Sequence, residues 1–134
     1  NADPRALQIT LNAWDVYERL GDKEGNRAIA HAAVFCACAP KSNAVHSAFN
    51  QAIQAAKDTS DLDVPVHLRN ATTKLLEELG HGKGYRYAHN EPGGFSQGQT
   101  YFPEEMGEQI YYEPTDRGLE IKIKEKLKQL REHL

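Results

Sequence analysis

The stretch Ala39-Pro40-Lys41-Ser42-Asn43 constrains this chain most, because it separates two different helical patterns. An alanine-rich apolar run over residues 28–39 precedes it, and a regular amphipathic pattern over residues 45–57 follows it. Proline disfavours helical geometry in the residue before it, so Pro40 ends the first pattern. The serine or the asparagine that follows can cap the next helix. We therefore predict two consecutive helices joined by a short polar loop.

The first residues predict another helix with two apolar faces. Asp3 can cap exposed backbone N–H groups, Pro4 suits the first helical position, and Gly21 is a typical stop. One apolar face comprises Ile9, Ala13, Val16 and Leu20, and the second comprises Leu7, Leu11 and Trp14. A helix that is apolar on two sides is packed on two sides, here by the rest of the domain and by a partner chain or domain.

Beyond residue 58 the helical signals are shorter. We predict a loop over residues 58–70, a short helix over about 71–79, and a final charged helix from 117 or 118 to 134 whose apolar stripe is Ile123, Leu127, Leu130 and Leu134. The segment 81–117 is rich in glycine, proline and aromatic residues, so we predict an ordered irregular segment with room for strand pairing between 100–102 and 110–112. The predicted fold class is all-α, a compact multi-helix domain spanning residues 1–134.

Composition excludes several classes of protein. The 134 residues are enough for one ordinary domain, with 40% hydrophobic and 26% charged residues. No apolar run approaches the roughly 20 residues of a membrane helix. The net charge of −3 gives no general attraction to nucleic acid. The chain begins at Asn1 rather than Met, so we expect a piece of a longer protein, and Cys36 and Cys38 favour a reduced, intracellular setting.

No catalytic motif is complete in this sequence. Gly80-His81-Gly82-Lys83-Gly84 lacks the G-x-x-x-x-G-K-[ST] spacing of a phosphate-binding loop, and a helix precedes rather than follows it. The histidines show no metal-ligand spacing, and Cys36 lies mid-helix among alanines, where a thiol is inert. A small enzyme that uses His67, His89 and either Asp61 or Asp63 remains an alternative, provided that these side chains converge.

Basic residues on the final helix suggest a second alternative. The candidate contacts for DNA or for an acidic partner are Lys122, Lys124, Lys128 and Arg131. Glutamates are interleaved among them, which favours a solvated helix face. Direct DNA binding through this helix therefore stays a secondary hypothesis.

Several ordered stretches together resemble one family. They are residues 1–7, 37–45, 64–71, 84–89, 101–103 and 114–120. In this order they resemble the C-terminal region of the bacterial RarA/MgsA replication-associated recombination ATPases, whose eukaryotic relative is the Werner-helicase-interacting ATPase. The positions that carry the resemblance, to which we assign structural or interface roles, are Pro40, Lys41, Ser42, Asn43, Pro65, His67, Leu68, Arg69, Asn70, Tyr85, Arg86, Tyr87, His89, Arg117 and Gly118.

The resemblance implies that this chain is one part of a longer protein and that ATP is bound by another part. The parent is an AAA+ ATPase related to clamp-loader subunits that acts at replication forks, with ATP and Mg²⁺ bound upstream. This piece is implied to be a collar-like oligomerisation domain with no catalytic residue, cofactor or metal of its own. The implied partners are further copies of the chain, forming a tetramer, and for the parent DNA and single-stranded-DNA-binding protein. The implied location is the bacterial cytoplasm, associated with the nucleoid.

Overall fold

The structure is a computed structural model, and it describes residues 1–131. These residues form five α-helices and several 3₁₀ turns, and they contain no strand. The helices are α1 Arg5–Leu20, α2 Asp22–Cys38, α3 Ala44–Asp58, α4 Lys74–Glu78 and α5 Glu120–Arg131. The all-α prediction is therefore confirmed, whereas the predicted extension of the last helix and its stripe to Leu134 lies outside the described residues.

The predicted helix boundaries agree with the structure to within a few residues. Gly21, with φ 73°, separates α1 from α2, and the second helix ends at Cys38 just before the predicted stop. The Asp3 carboxylate accepts the Arg5 backbone N–H at 3.1 Å, and Ser42 Oγ accepts the Ala44 N–H at 3.1 Å. Asp3 and Ser42 therefore each accept the first backbone N–H of the helix that follows, although the N-cap residue of α1 is Pro4, which makes no side-chain cap.

The chain divides into two compact units. Unit 1 contains Asn1–His46 and Glu113–Glu125, and unit 2 contains Ser47–Tyr112 and residues 126–131. The single-domain assignment stays a prediction. Among residues 1–131, no helix is both long enough and apolar enough to cross a membrane.

Unit 1 is built on an antiparallel pair, α1 and α2, connected by Gly21 alone. The Arg5 guanidinium lies 5.3 Å from the centre of the Phe35 ring at one end of the pair. Ala13 and Ala32 are buried along its length. Small side chains at the crossing allow the two helix backbones to approach closely, which is why this alanine-rich sequence pairs with α1.

Gly25 is the tightest point of this helix pair. A Cβ atom at this position would lie 2.5 Å from Tyr17 Cδ2 and 2.6 Å from Tyr17 Cα. We expect Gly25→Ala to lower the free energy of unfolding by about 2–3 kcal/mol, because overpacking forces the helices apart. Urea unfolding followed by circular dichroism measures this loss.

Asn26→Ala is the matched control for Gly25→Ala. Asn26 is the next residue of α2 and is exposed. Alanine favours a helix more than either asparagine or glycine does, so the control should leave stability unchanged or slightly raised. Equal stability of the two variants would contradict the tight packing of Gly25 against Tyr17.

The segment 81–112 in unit 2 follows an irregular path. Its regular pieces are the 3₁₀ turns Ala88–Asn90, Pro92–Gly94 and Glu104–Met106. The expected strand pairing of 100–102 with 110–112 is absent. Pro103 lacks a backbone N–H and leads directly into the last of these turns, which interrupts any ladder. The two stretches nevertheless approach each other, since the Phe102 and Tyr111 rings meet edge to face at 6.0 Å.

Candidate functional site

Three stretches that are distant in sequence meet in unit 1 and form what we call the junction: residues 1–4, 40–43 and 115–120. The Leu119 backbone N–H donates to the Ala2 carbonyl at 2.8 Å, and Ala2 is buried. Gly118 packs so closely that a Cβ atom there would overlap the Ala2 carbonyl oxygen and lie 2.7 Å from Pro40 Cγ. The junction therefore joins the beginning of the chain, the polar loop between α2 and α3, and the start of α5.

Glu120 lies at the centre of the junction, with its side chain completely buried. Its Oε2 accepts two hydrogen bonds from Thr115, from the backbone N–H at 2.9 Å and from the hydroxyl at 2.7 Å. Its Oε1 lies 3.0 Å from the amino nitrogen of Asn1. A buried carboxylate is tolerated only when donors surround it in this way.

The hydrogen bonds also determine the charge state of Glu120. Burial by itself would raise the pKa of this carboxyl group. The hydrogen bonds from Thr115 and from Ser42 outweigh burial and hold the pKa well below its ordinary value. Glu120 is therefore ionised at neutral pH.

Lys41 and Arg117 complete the junction. The Lys41 ammonium donates to the carbonyls of Cys36 and Ala39, both at 2.6 Å, and so satisfies the exposed carbonyls at the end of α2. Arg117 Nη1 donates to the Lys41 carbonyl at 3.2 Å. Of the predicted site residues, the structure thus brings together Pro40, Lys41, Ser42, Asn43, Arg117 and Gly118.

A second group of predicted residues is organised in unit 2 around Arg86. Its guanidinium binds Glu91 in bidentate fashion, with Nε to Oε1 and Nη2 to Oε2 both at 2.8 Å. This ion pair lowers the pKa of Glu91 and raises that of Arg86. The Arg86 backbone N–H donates to the buried Gln99 side chain at 2.8 Å, and the buried Ser96 hydroxyl donates to the Arg86 carbonyl at 3.2 Å.

The two tyrosines next to Arg86 in the sequence are partly exposed to solvent. Tyr85 and Tyr87 are about half exposed, at 51% and 54%. The Tyr87 ring lies 4.9 Å from the His89 ring. Arg86 therefore holds the irregular segment together, while the tyrosines beside it lie at the surface.

The stretch 65–70 packs against the same segment of unit 2. His67 Nε2 lies 2.8 Å from the Thr100 carbonyl oxygen. Arg69 donates to the Val64 carbonyl at 2.5 Å and pairs with Asp63 at 3.3 Å. Pro65 and Leu68 are partly buried, while Asn70 is exposed and its carbonyl lies 3.4 Å from His81 Nδ1. These contacts give the predicted residues a structural role within the loop.

Three side chains of the small-enzyme alternative each have a contact of their own within unit 2. His67 is engaged by Thr100, Asp63 by Arg69, and His89 by Tyr87. Among residues 1–131, no group of three histidine, cysteine or acidic side chains could hold a metal ion. The glycine turn at 80–84 does not fit a phosphate cradle either, because it follows α4 and its Gly82 N–H is bonded to the Val66 carbonyl.

The basic residues of α5 lie mostly at the surface of the protein. Lys122, Lys124 and Lys128 are exposed and Arg131 is partly buried. Lys124 pairs with Asp116 at 2.7 Å. The helix thus presents cations to solvent, with at least one of them partly neutralised by a neighbouring acid.

The sequence analysis did not single out Glu120; it counted the glutamates of the last helix as part of a solvated, charged face. A signal was available, because Glu120 precedes Ile123 by three residues and Leu127 by seven. That spacing places the carboxylate on the apolar stripe of α5. An acid on an apolar stripe predicts a buried, hydrogen-bonded carboxylate.

A family model described as MgsA AAA+ ATPase C terminal matches residues 1–131. The chain belongs to this family. Replication-associated recombination protein A of Haemophilus influenzae is 59% identical over 132 residues, which cover 98% of this chain and 30% of that protein. The protein of the same name from Escherichia coli K12 is 57% identical over the same length and with the same coverage.

A eukaryotic protein is also similar to this chain. ATPase WRNIP1 of Dictyostelium discoideum is 31% identical over 112 residues, which cover 84% of this chain and 13% of that protein. The chain spans about 30% of the length of the two bacterial recombination proteins. It thus corresponds to the C-terminal domain of an AAA+ ATPase family, two bacterial relatives of which are named replication-associated recombination protein A.

Proposed function

We propose that this chain is the self-association and interaction domain of a DNA-dependent AAA+ ATPase that maintains replication forks. The ATP and Mg²⁺ site lies in the part of the parent protein outside this chain. This domain holds the copies of the ATPase together and takes no part in ATP hydrolysis. The family membership of residues 1–131 and the recombination proteins among the relatives support this proposal.

The distribution of apolar side chains is the observation that carries the proposal. Among residues 1–131, the buried apolar side chains are all alanines: Ala2, Ala13, Ala32, Ala44 and Ala48. Large apolar side chains remain in contact with solvent, including Leu7 and Trp14 at 69% and 67% exposure. Exposed apolar surface of this extent marks a site of protein–protein contact.

Light scattering after size-exclusion chromatography tests the proposal. We expect a mass of two or four times 15.0 kDa at tens of micromolar chain. The more specific proposal is that the chain forms a tetramer. A mass of 15.0 kDa throughout this range would contradict self-association of the domain.

Direct DNA binding is the second candidate, and the exposed lysines of α5 favour it. A protein that neutralises phosphates with lysines binds DNA more weakly as salt rises. If α5 binds DNA, the variant with both Lys124→Glu and Lys128→Glu should lose most of a salt-sensitive affinity for short duplex and single-stranded DNA. Fluorescence anisotropy at low salt measures this affinity.

Lys57→Glu at the end of α3 is the matched control, since Lys57 is also an exposed helical lysine. Equal DNA affinity of the control and of the wild-type chain would assign binding to α5. An absence of any DNA binding at low salt would rule out this candidate. The proposal that the domain self-associates would stand after that result.

The partners of the parent protein follow from the same proposal. We expect the full-length ATPase to contact DNA and single-stranded-DNA-binding protein in the bacterial cytoplasm, associated with the nucleoid. Pull-down with purified single-stranded-DNA-binding protein tests whether this chain suffices for that contact.

A further inference from the structure

A cleft of about 630 Å³ lies within unit 2, between residues 63–69 and residues 100–108. We call it the acidic cleft. Its volume falls within the roughly 300–1,000 Å³ of pockets that hold small ligands. The acidic cleft therefore has room for a few side chains of an extended peptide, but not for a folded element.

Two prolines and one hydrogen bond fix the walls of the acidic cleft. Pro65 and Pro103 each precede a 3₁₀ turn, with φ of −50° and −51°. The proline ring restricts φ to this range, so both turns start from a rigid residue. His67 Nε2 lies 2.8 Å from the Thr100 carbonyl oxygen and joins one wall to the other. The cleft is therefore formed before any ligand arrives, and binding does not have to order its walls.

One side of the acidic cleft is apolar and another is acidic. Val64 and Val66 line it and are 56% and 44% exposed. Glu104, Glu105 and Glu108 also line it, and all three are exposed. Within residues 1–131, no hydrogen bond or ion pair engages these three carboxylates. An apolar wall and uncompensated carboxylates thus share one preformed cleft.

The cation that the cleft itself contains is already engaged. Arg69 is the one lysine or arginine among the residues that line the cleft. It pairs with Asp63 at 3.3 Å and donates to the Val64 carbonyl at 2.5 Å. The charges of Arg69 and Asp63 cancel, which leaves the three glutamates without a counter-charge from the cleft.

The acidic side determines which class of ligand fits. Nucleic acid is excluded, since its phosphates would meet carboxylates instead of cations. A shared metal ion does not fit either, because the acids of residues 1–131 include no group of three that could hold one. The carboxylates are thus spread along the cleft. Arginine and lysine match this arrangement, because their methylene stems pack on apolar surface while their charged ends reach separate carboxylates.

We propose that the acidic cleft binds an extended segment of a separate protein that carries two or more arginines or lysines. Their stems lie against Val64 and Val66, and their charged ends pair with the glutamates. The net charge of −3 on the chain attracts a basic molecule that diffuses freely, which favours a separate protein over a tethered segment. The inference does not depend on self-association of the domain.

Fluorescence anisotropy at low salt tests the inference with a fluorescein-labelled peptide of six residues in which arginine alternates with glycine. We expect the variant with both Glu105→Gln and Glu108→Gln to raise the dissociation constant about tenfold or more, because charged hydrogen bonds are lost. We expect Val64→Ser to raise it about threefold, because the arginine stems lose an apolar contact. Long-range attraction alone would not respond to this second change.

The variant with both Glu77→Gln and Glu78→Gln is the matched control, since it changes the net charge equally at exposed positions of α4 outside the cleft. Circular dichroism verifies that all variants keep their helices. A second control peptide carries citrulline, which has nearly the shape of arginine without its charge. The inference is supported if the arginine peptide binds, the citrulline peptide does not, and the cleft variants weaken binding more than the control does.

Three results would overturn the inference: no binding of the arginine peptide by the wild-type chain, equal binding of the citrulline peptide, or equal losses in the cleft variants and the control. Binding by this chain but not by the full-length ATPase would overturn the assignment to a separate protein, because a segment of the parent would then fill the cleft. The proposed self-association stands in each of these cases.

Discussion

Replacing Glu120 by glutamine is expected to lower the free energy of unfolding by about 3 kcal/mol, the loss typical of charged hydrogen bonds broken in a buried site. The amide has nearly the shape of the carboxylate but carries an NH₂ donor on one side. In either orientation this donor faces another donor, because Thr115 donates to one oxygen of the carboxylate and Asn1 donates to the other. Urea unfolding at neutral pH measures the loss.

Two companion variants test the reason for that loss. Thr115→Val removes the hydroxyl donor and keeps the backbone N–H, so its cost should be about 1–2 kcal/mol. Glu125→Gln changes the same chemistry at an exposed position of α5, and it should be neutral. If Glu120→Gln were as stable as Glu125→Gln, the buried carboxylate would not hold the junction together.

The pH dependence of stability gives an independent readout of Glu120. The pKa of this group in the folded chain lies below its ordinary 4.5. Its contribution is therefore complete above that value and is lost as the pH falls toward the folded-state pKa. The stability difference between wild type and Glu120→Gln should be constant near neutral pH and should shrink between about pH 5 and about pH 3.

The second large effect is expected at Gly118, where alanine should cost about 3 kcal/mol or more. The residue has φ 54°, a left-handed conformation that costs an alanine about 1–2 kcal/mol. The added Cβ would also overlap the Ala2 carbonyl, which accepts the Leu119 N–H. The start of the chain and the start of α5 would have to separate.

Gly84→Ala separates the backbone cost from the packing cost. Gly84 has φ 85°, also in the positive region, and a Cβ atom there meets nothing within 4 Å. The control should therefore lose only the conformational part, about 1–2 kcal/mol. Equal losses at the two glycines would show that the contact between Gly118 and Ala2 contributes nothing to stability.

Local signals predicted the helices well because they act over short distances. Asp3, Gly21, Pro40 and Ser42 each control the backbone within a few residues, and the helix boundaries follow them. The strand pairing expected near Phe102 was wrong, since Pro103 and the turn after it prevent a ladder although the aromatic rings meet.

The junction could be predicted only in part. The resemblance identified Pro40 to Asn43 and Arg117 to Gly118 as marked positions, but nothing local indicates that they meet the beginning of the chain. The α1–α2 pairing likewise depends on Gly25 opposite Tyr17, a contact between two helices that no single-helix pattern contains. The buried role of Glu120 depends on donors that come from three separate stretches.

Sedimentation equilibrium of the wild-type chain over a wide concentration range tests the central claim most directly. A domain whose apolar residues cover a second copy of itself should show a reversible rise in mass from 15.0 kDa to at least twice that value as concentration increases. A single species of 15.0 kDa up to tens of micromolar would contradict the claim that this domain assembles its parent protein.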